Sequence, residues 1–265
     1  MAKSPVDINA GTPAPTEPPV PDRFRRLAEQ ALDVVLPPQC LSCDRIVERD
    51  GVLCPDCWAG ATFVSPPICA ACGVRLEMEI GDGLCGACLR RRPAYDRARA
   101  AMVYDAASRR LILALKHGDR TDSAPALGRW LARAGQELVN DADLIAPVPL
   151  HWSRLFKRRF NQSALVAMAI AQDAGRTLAF DLLVRTRRTP RQVRMSPHQR
   201  FLNTRGAFRV KAAWREHIQD RRVLLIDDVL TTGATAVNCA KALLRGGAGA
   251  VDVLTLARVV RAEPE

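Results

Sequence analysis

Between Val223 and Val260 the chain runs through an apolar stretch, a polar loop, a helical stretch and a second apolar stretch. The first run, Val223 to Ile226, continues through Asp227 and Asp228 into Val229-Leu230. It is long enough for a strand buried on both faces and too short for a helix. Ala236 to Arg245 has helical periodicity and stops at Gly246-Gly247, after which Val251 to Val260 is apolar again. Two buried strands joined through a helix pair in parallel, and open parallel sheets take ligands at the carboxyl ends of their strands. The expected fold is therefore α/β, a parallel sheet with flanking helices. The polar residues of this unit, Asp227 to Thr235, lie where a ligand belongs.

Thr231, Thr232, Gly233, Ala234 and Thr235 immediately precede that helix. A helix amino terminus leaves N–H groups unpaired, and its aligned peptide dipoles favour an anion in front of them. Gly233 permits close backbone approach and unusual dihedrals, and the three hydroxyls add donors without adding charge. The loop is suited to one phosphate group. Asp227 and Asp228 are unsuited to touching phosphate, but they suit ribose hydroxyls, or Mg2+ beside a pyrophosphate. No Gly-Lys-Ser or Gly-Lys-Thr is present, which excludes a Walker A loop. The whole pattern resembles the signature of the type I phosphoribosyltransferases, which bind 5-phosphoribosyl 1-pyrophosphate (PRPP). The resemblance implies that the loop holds the 5′-phosphate, that the acid pair faces the ribose, and that Asp227 and Asp228 are the catalytic candidates.

Eight of the nine cysteines form four Cys-x-x-Cys pairs: Cys40/Cys43, Cys54/Cys57, Cys69/Cys72 and Cys85/Cys88. Successive pairs are separated by ten residues in the first half and twelve in the second. Two such pairs complete a tetrahedral Zn2+ site, and no thioredoxin-like βαβ setting supports a redox role. Two structural zinc ions are expected, in two successive ribbons, the first on Cys40, Cys43, Cys54 and Cys57 and the second on Cys69, Cys72, Cys85 and Cys88, with a cross-braced pairing as the alternative. With so little apolar sequence between the cysteines, these segments are expected to fold only with metal. Cys239 stands apart within the helix after the phosphate loop and reads as a packing residue.

Residues 1–21 hold six prolines and no periodicity, the composition of a disordered tail. Phe24, Leu27, Ala28, Ala31, Leu32 and Val35 then repeat at helical spacing until Pro37-Pro38. The expected division is tail 1–21, helix and double ribbon 22–93, and α/β domain 94–265. No stretch approaches the roughly 20 apolar residues of a membrane span, and no signal peptide is visible, so the expected location is the cytoplasm. A net charge of +11 favours an anionic partner, either nucleic acid or a phosphorylated metabolite.

Within the α/β region, Ala98 to Tyr104 reads as a strand, Ala106 to His117 as a helix and Ala126 to Val139 as another. His117 reads as a base or as a helix cap. Asp143 to Leu150 is a strand broken by prolines into a fixed loop. Arg154, Lys157, Arg158 and Arg159 follow it, before a helix from Asn161-Gln162 to Gly175. This is either a second anion site or a solvated basic helix start. Residues 185–209 carry eight arginines and no acid, in what reads as a long mobile loop. Arg187, Arg188 and Arg191 are its candidates for pyrophosphate or nucleic-acid phosphate.

Pro147-Val148-Pro149-Leu150-His151, Arg154-Leu155 and Phe160-Asn161-Gln162-Ser163-Ala164 resemble the signature of the ComF family of competence proteins. Lys116-His117-Gly118 matches that family's Lys–aromatic–Gly element, and Thr189, Gln192, Arg200, Asn203 and Ala207-Phe208 match a later one. The family glycine before Phe-Asn-Gln is Arg159 here. The resemblance implies a double zinc ribbon joined to a type I phosphoribosyltransferase-like domain that binds PRPP, with Mg2+, or a related phosphoribosyl ligand. It also implies a role in natural transformation, with single-stranded DNA and a DNA-uptake helicase as partners. The alternative is an active PRPP-dependent phosphoribosyltransferase of nucleotide metabolism with no DNA role. Thr231 stands where 6-oxopurine enzymes carry an acid, which argues against purine salvage, and Met1-Ala2 lacks the nucleophilic cysteine of an amidotransferase.

Overall fold

A computed structural model describes residues 37–78, 81–117, 120–190 and 195–260. The expected tail and the helix read over residues 22–35 lie outside them. In chain order the elements are α1 (Pro55–Ala59), α2 (Gly86–Arg90), β1 (Arg97–Val103), α3 (Ala106–His117), α4 (Ala124–Ala134), α5 (Gln136–Asp141), β2 (Leu144–Pro147), α6 (Trp152–Arg158), α7 (Gln162–Asp173), β3 (Thr177–Leu178), β4 (Leu183–Arg185), α8 (Pro197–Thr204), β5 (Phe208–Val210), β6 (Arg222–Leu230), α9 (Ala234–Arg245) and β7 (Ala250–Arg258).

The strands β1, β7, β6, β2 and β3 lie side by side in that order, every neighbour parallel. Alternating side chains of the central strands serve two cores. Leu224, Ile226, Leu254 and Leu256 meet α3, α4, α5 and α7 on one face, through Leu115, Leu131, Leu138 and Ile170. Val223, Leu225, Val251 and Val253 meet α9 and the antiparallel β4–β5 hairpin on the other, with Cys239, Leu243 and Phe208. Cys239 is fully buried there, as its packing reading required. Each fully buried aliphatic side chain contributes roughly 1.5–3 kcal/mol.

From β2 the chain moves outward to β3, whereas from β6 it moves the other way to β7. The strand order therefore reverses between β2 and β6, which places a crevice at their carboxyl ends. At the opposite end of the sheet the fully buried Asp252 is paired with Arg97 at 2.6 Å and Arg222 at 3.1 Å. That carboxylate is compensated and structural.

The free edge of β1 is covered by the cysteine-rich segments. Val64 N–H donates to the Ala101 carbonyl at 3.0 Å, Val103 N–H to Thr62 at 2.8 Å, and Ala98 N–H to Ala71 at 2.8 Å. An uncovered edge would leave these groups open to other chains. Gly73 makes the last contact possible: with φ +68° its Cβ would lie 2.3 Å from the Ala98 carbonyl oxygen. Gly73→Ala is expected to lever the second ribbon off β1, with the left-handed backbone alone costing about 1–2 kcal/mol. Faster limited proteolysis within residues 69–88 would report it, and an unchanged cleavage rate would refute it.

Two segment readings need correction. The helix read over Ala126 to Val139 is two helices, α4 and α5, separated at Gly135. The long arginine-bearing loop is structured over most of its described length: β4 ends at Arg185, α8 runs from Pro197 to Thr204, and β5 starts at Phe208. Ser196 and Gln199 form a reciprocal capping box in front of α8, at 3.2 and 2.8 Å. The Ser-Pro-His-Gln string carries that signal in the sequence, with proline at the first helical position.

Candidate functional site

The crevice at the reversal point is bounded by two chain segments, and a third packs against the helix that follows the phosphate loop. The first is the end of β6 with the loop to α9. Gly233 takes φ +76°, ψ −2°, and its Cβ would meet nothing nearer than the Tyr95 hydroxyl at 3.7 Å. Glycine is thus required there by conformation, not by space. The Ala234 N–H donates to Thr232 Oγ1 at 3.3 Å, which fixes one hydroxyl at the helix start. Ala234 and Thr235 already belong to the first turn of α9, two residues earlier than the sequence reading placed it. Thr231, Thr232 and Thr235 are all half-buried.

Asp227 and Asp228 occupy the last turnings of β6. Asp228 is bound to Lys116 Nζ at 2.6 Å, both side chains being about one-fifth exposed (21% and 22%). Asp227 accepts from Ser163 Oγ at 3.3 Å and from the Asp228 N–H at 2.9 Å. Burial, followed by the neighbouring Asp228 charge, pushes the Asp227 carboxyl up to about 7. The contrast with Asp252 is physical: Asp252 has two guanidiniums within 3.1 Å, one of them (Arg97) shared with Asp141, whereas among the described side chains a single ammonium is paired with the two acids here. A carboxylate pair short of cations at a strand end is poised for an outside cation or hydroxyl donor.

Stability is expected to reflect that shift. Because the folded carboxyl holds its proton to higher pH than the unfolded one, the contribution of this group to stability is expected to fall as pH rises from about 4 to 7 and to stay low above. Asp227→Asn is thus expected to raise the melting point at pH 8 in Mg2+-free buffer and to change it little at pH 4. The gain is on the order of 1–3 kcal/mol. An equal effect at both pH values would show that the carboxyl is not held in this way.

The second segment is the proline loop after β2, which faces the acid pair across the β2–β6 boundary. Asn161 Nδ2 donates to the Val148 carbonyl at 3.1 Å and so holds that loop. Gln162 Nε2 donates to the Lys116 carbonyl at 3.3 Å. The Phe-Asn-Gln-Ser string at the start of α7 therefore organises the site: it fixes the proline loop, the end of α3 that carries Lys116, and Asp227. Arg154 and Arg158 lie on α6, with side chains outside the described set. Arg159 has φ +66°, the left-handed region. The expected family glycine is explained by that backbone, and arginine there costs about 1–2 kcal/mol.

The third segment is the arginine-rich stretch. Arg187 donates to the carbonyls of Asn203 and Arg205, both at 3.1 Å, and clasps the end of α8. Arg188 is exposed, and Arg191 lies outside the described residues. Asn238 Nδ2 on α9 donates to Thr204 Oγ1 at 2.9 Å and ties α8 to the phosphate-loop helix.

The cysteines fall into the sequential pairing. Cys40, Cys43, Cys54 and Cys57 have sulfurs within 4.8 Å of one another, as do Cys69, Cys72, Cys85 and Cys88. The Cys43–Cys54 and Cys72–Cys85 sulfurs are both 3.6 Å apart. Tetrahedral Zn–S bonds of about 2.3 Å require sulfurs about 3.8 Å apart, so both quartets fit zinc. Burial opposes ionisation of Cys69, but N–H groups of Cys72 and Cys85 directed at its sulfur bring it down to about 6. The same balance brings Cys40 to about 7, with the Cys54 N–H at 3.3 Å. Such N–H···S bonds favour the thiolates that zinc binds.

Sequence reasoning gave no role to Lys116, Ser163 or Arg258. The first two lie inside strings already matched to a family, which was the available signal. Arg258 donates to the Cys72 carbonyl and, at 3.3 Å, to the Cys72 sulfur, a contact no local pattern announces.

Residues 31–89 match the family model described as a double zinc ribbon domain. The chain is 33% identical over 229 residues to the DNA utilization protein YhgH of Escherichia coli (strain K12), covering 83% of this chain and 90% of that protein. It is 29% identical over 231 residues to Competence protein F of Haemophilus influenzae, covering 83% and 96% respectively. Among solved structures, the glutamine PRPP amidotransferase from B. subtilis, complexed with ADP and GMP, is similar at 22% identity with a TM-score of 0.37. That match spans 54% of this chain and 30% of the amidotransferase. The fold itself is read from the strand order above.

Proposed function

This chain belongs to the ComF family, with the DNA utilization protein YhgH and Competence protein F, and we propose that it acts in DNA uptake while binding a phosphoribosyl ligand at the β2–β6 crevice. The single observation that carries the ligand reading is the Asp227–Asp228 pair, served by one lysine, directly before a threonine-glycine loop at a helix amino terminus. The N–H groups of the first turn of α9, with Thr231, Thr232 and Thr235, would hold a 5′-phosphate. Asp227 and Asp228 would accept from ribose hydroxyls, with Lys116 keeping Asp228 in place. The proline loop held by Asn161 would face the pyrophosphate, joined by the cations of α6 and by Arg188. Mg2+ beside this acid pair would neutralise pyrophosphate oxygens. If pyrophosphate departs, C1 of the ribose gains positive charge, which the two carboxylates stabilise electrostatically.

The DNA side of the proposal has single-stranded DNA and a helicase of the uptake apparatus as partners, and a cytoplasmic location. Among the described residues no helix is long and apolar enough to cross a membrane. A nucleotide-metabolism enzyme with no DNA role is not favoured, because the relatives spanning most of the chain carry DNA-utilization and competence names.

The test is titration of Mg2+–PRPP into zinc-loaded protein, with pyrophosphate release assayed in the same samples. Saturable binding supports the reading, release makes the protein an enzyme, and no binding at all removes the phosphoribosyl half. Removing Arg187, Arg188 and Arg191 together is expected to weaken single-stranded DNA binding and to flatten its salt dependence by about 2. If both stay as in the parent protein, this segment has no DNA role.

A further inference from the structure

A cleft of about 570 Å3 lies between the second ribbon and the phosphate loop, and its described lining includes neither the acid pair nor Lys116. Thr232, Gly233 and Ala234 line it from the phosphate loop, and Cys72 and Cys88 line it from the ribbon. Four cations line it: Arg91 and Arg92 after α2, Lys241 on α9 and Arg258 at the end of β7. No described carboxylate is in the lining, and none of the four forms an ion pair with a described carboxylate.

These cations are not equivalent. Arg258 is committed to Cys72, which as a zinc ligand carries negative charge, so it offsets the metal centre. Arg91 and Arg92 are exposed. Lys241 Nζ lies 5.2 Å from the centroid of the Phe201 ring, a cation–π contact that leaves its charge at the cleft wall. Lys241 stands seven residues beyond Ala234 on α9, about 10 Å along the axis. With its ammonium placed on the Phe201 ring, Lys241 and the helix-terminal N–H groups are two separate anchoring points along the cleft. A ligand meeting both carries successive phosphates along a chain, and Phe201 with the exposed His198 offers ring surface for its bases.

We propose that this cleft is a path for single-stranded nucleic acid, entering beside the Thr232–Ala234 loop and leaving past Lys241 and the Arg91-Arg92 turn. The inference deepens the DNA reading above and rests on it. It also assigns the second ribbon a function: its zinc holds the wall against which the strand lies. A strand in the cleft and a phosphoribosyl ligand in the crevice would then share one loop between them.

The test uses the zinc-loaded full chain and a fluorescent oligothymidylate of about 12 nucleotides, a length within single-strand site sizes. Arg91→Ala, Arg92→Ala and Lys241→Ala are combined, and Arg91→Lys with Arg92→Lys serves as the charge-preserving control. Zinc content and melting point identify any variant that fails to fold. The combined variant is expected to bind at least tenfold more weakly. Its slope of log affinity against log salt should be shallower by about 2, while the lysine control stays within twofold of the parent. Mg2+–PRPP affinity should not change. Parent-like oligonucleotide affinity and slope in the combined variant would overturn the path, leaving the DNA reading intact. Thymidine 5′-monophosphate competing as well as the oligonucleotide would overturn it in favour of a free-nucleotide site. A parent protein that binds no oligonucleotide would remove the DNA reading and this inference together.

Discussion

Cys43→Ser is expected to lower the melting point of the whole chain, whereas Cys88→Ser unfolds the second ribbon and leaves the sheet close to its parent stability. Each change removes one thiolate from a four-sulfur site and is expected to release one zinc ion per chain. Structural zinc contributes about 10–16 kcal/mol in finger peptides, as much as the entire stability of an ordinary domain. What differs between the two sites is where that loss goes. Cys40, Leu41, Leu53, Cys54 and Cys57 are buried in the same apolar cluster as Met102, Leu127, Ile145 and Leu254. The rings of Trp58, Phe63 and Trp130, at centroid distances of 4.8 and 5.8 Å, extend that continuity onto α4. The second ribbon has a small cluster of its own, Cys69, Ala71, Cys72 and Cys88. It meets the rest through the Gly73–Ala98 approach and the Arg258–Cys72 bonds. Thermal melts, zinc content and limited proteolysis on both variants decide the matter. Equal drops in melting point would show that the two ribbons are one cooperative unit.

The second large effect is on ligand. Asp227→Asn with Asp228→Asn is expected to weaken Mg2+–PRPP binding at least 100-fold, about 2.8 kcal/mol. Oligonucleotide binding should persist. The substitution removes between one and two negative charges near neutral pH from a chain already at +11, so any general electrostatic effect would strengthen DNA binding. A loss of both ligands would therefore mean that the acid pair holds the loop in shape. Retention of PRPP binding would place the phosphoribosyl site elsewhere. Calorimetric titration of PRPP with anisotropy titration of the oligonucleotide, on one preparation, separates these outcomes.

Much of this was already written in the order of residues. The run Val223 to Ile226 gives a strand buried on both faces, because every residue in it is apolar whichever face it meets. Cys-x-x-Cys spacing gives the zinc ligands, because the geometry of one metal ion is satisfied within a few residues. Thr-Thr-Gly before a helix gives an anion site, because the free N–H groups belong to the helix terminus itself. These are short-range determinations, and they survive any packing of the chain.

What the sequence left open depended on residues far apart in the chain. The choice between sequential and cross-braced zinc pairing was open until the sulfurs of each half came within bonding reach of one ion. The arginine-rich segment read as a loop because its charge masked a capping box and a short hairpin, both stabilised against α9. Lys116 could be matched to a pattern, but not to Asp228, because α3 and β6 meet only once the sheet has formed. The reversal point between β2 and β6 likewise exists only in the assembled strand order. Sequence determined which groups can ionise, ligate and donate; the tertiary structure decided which of them share a dielectric, and therefore which charges are compensated and which are left to bind.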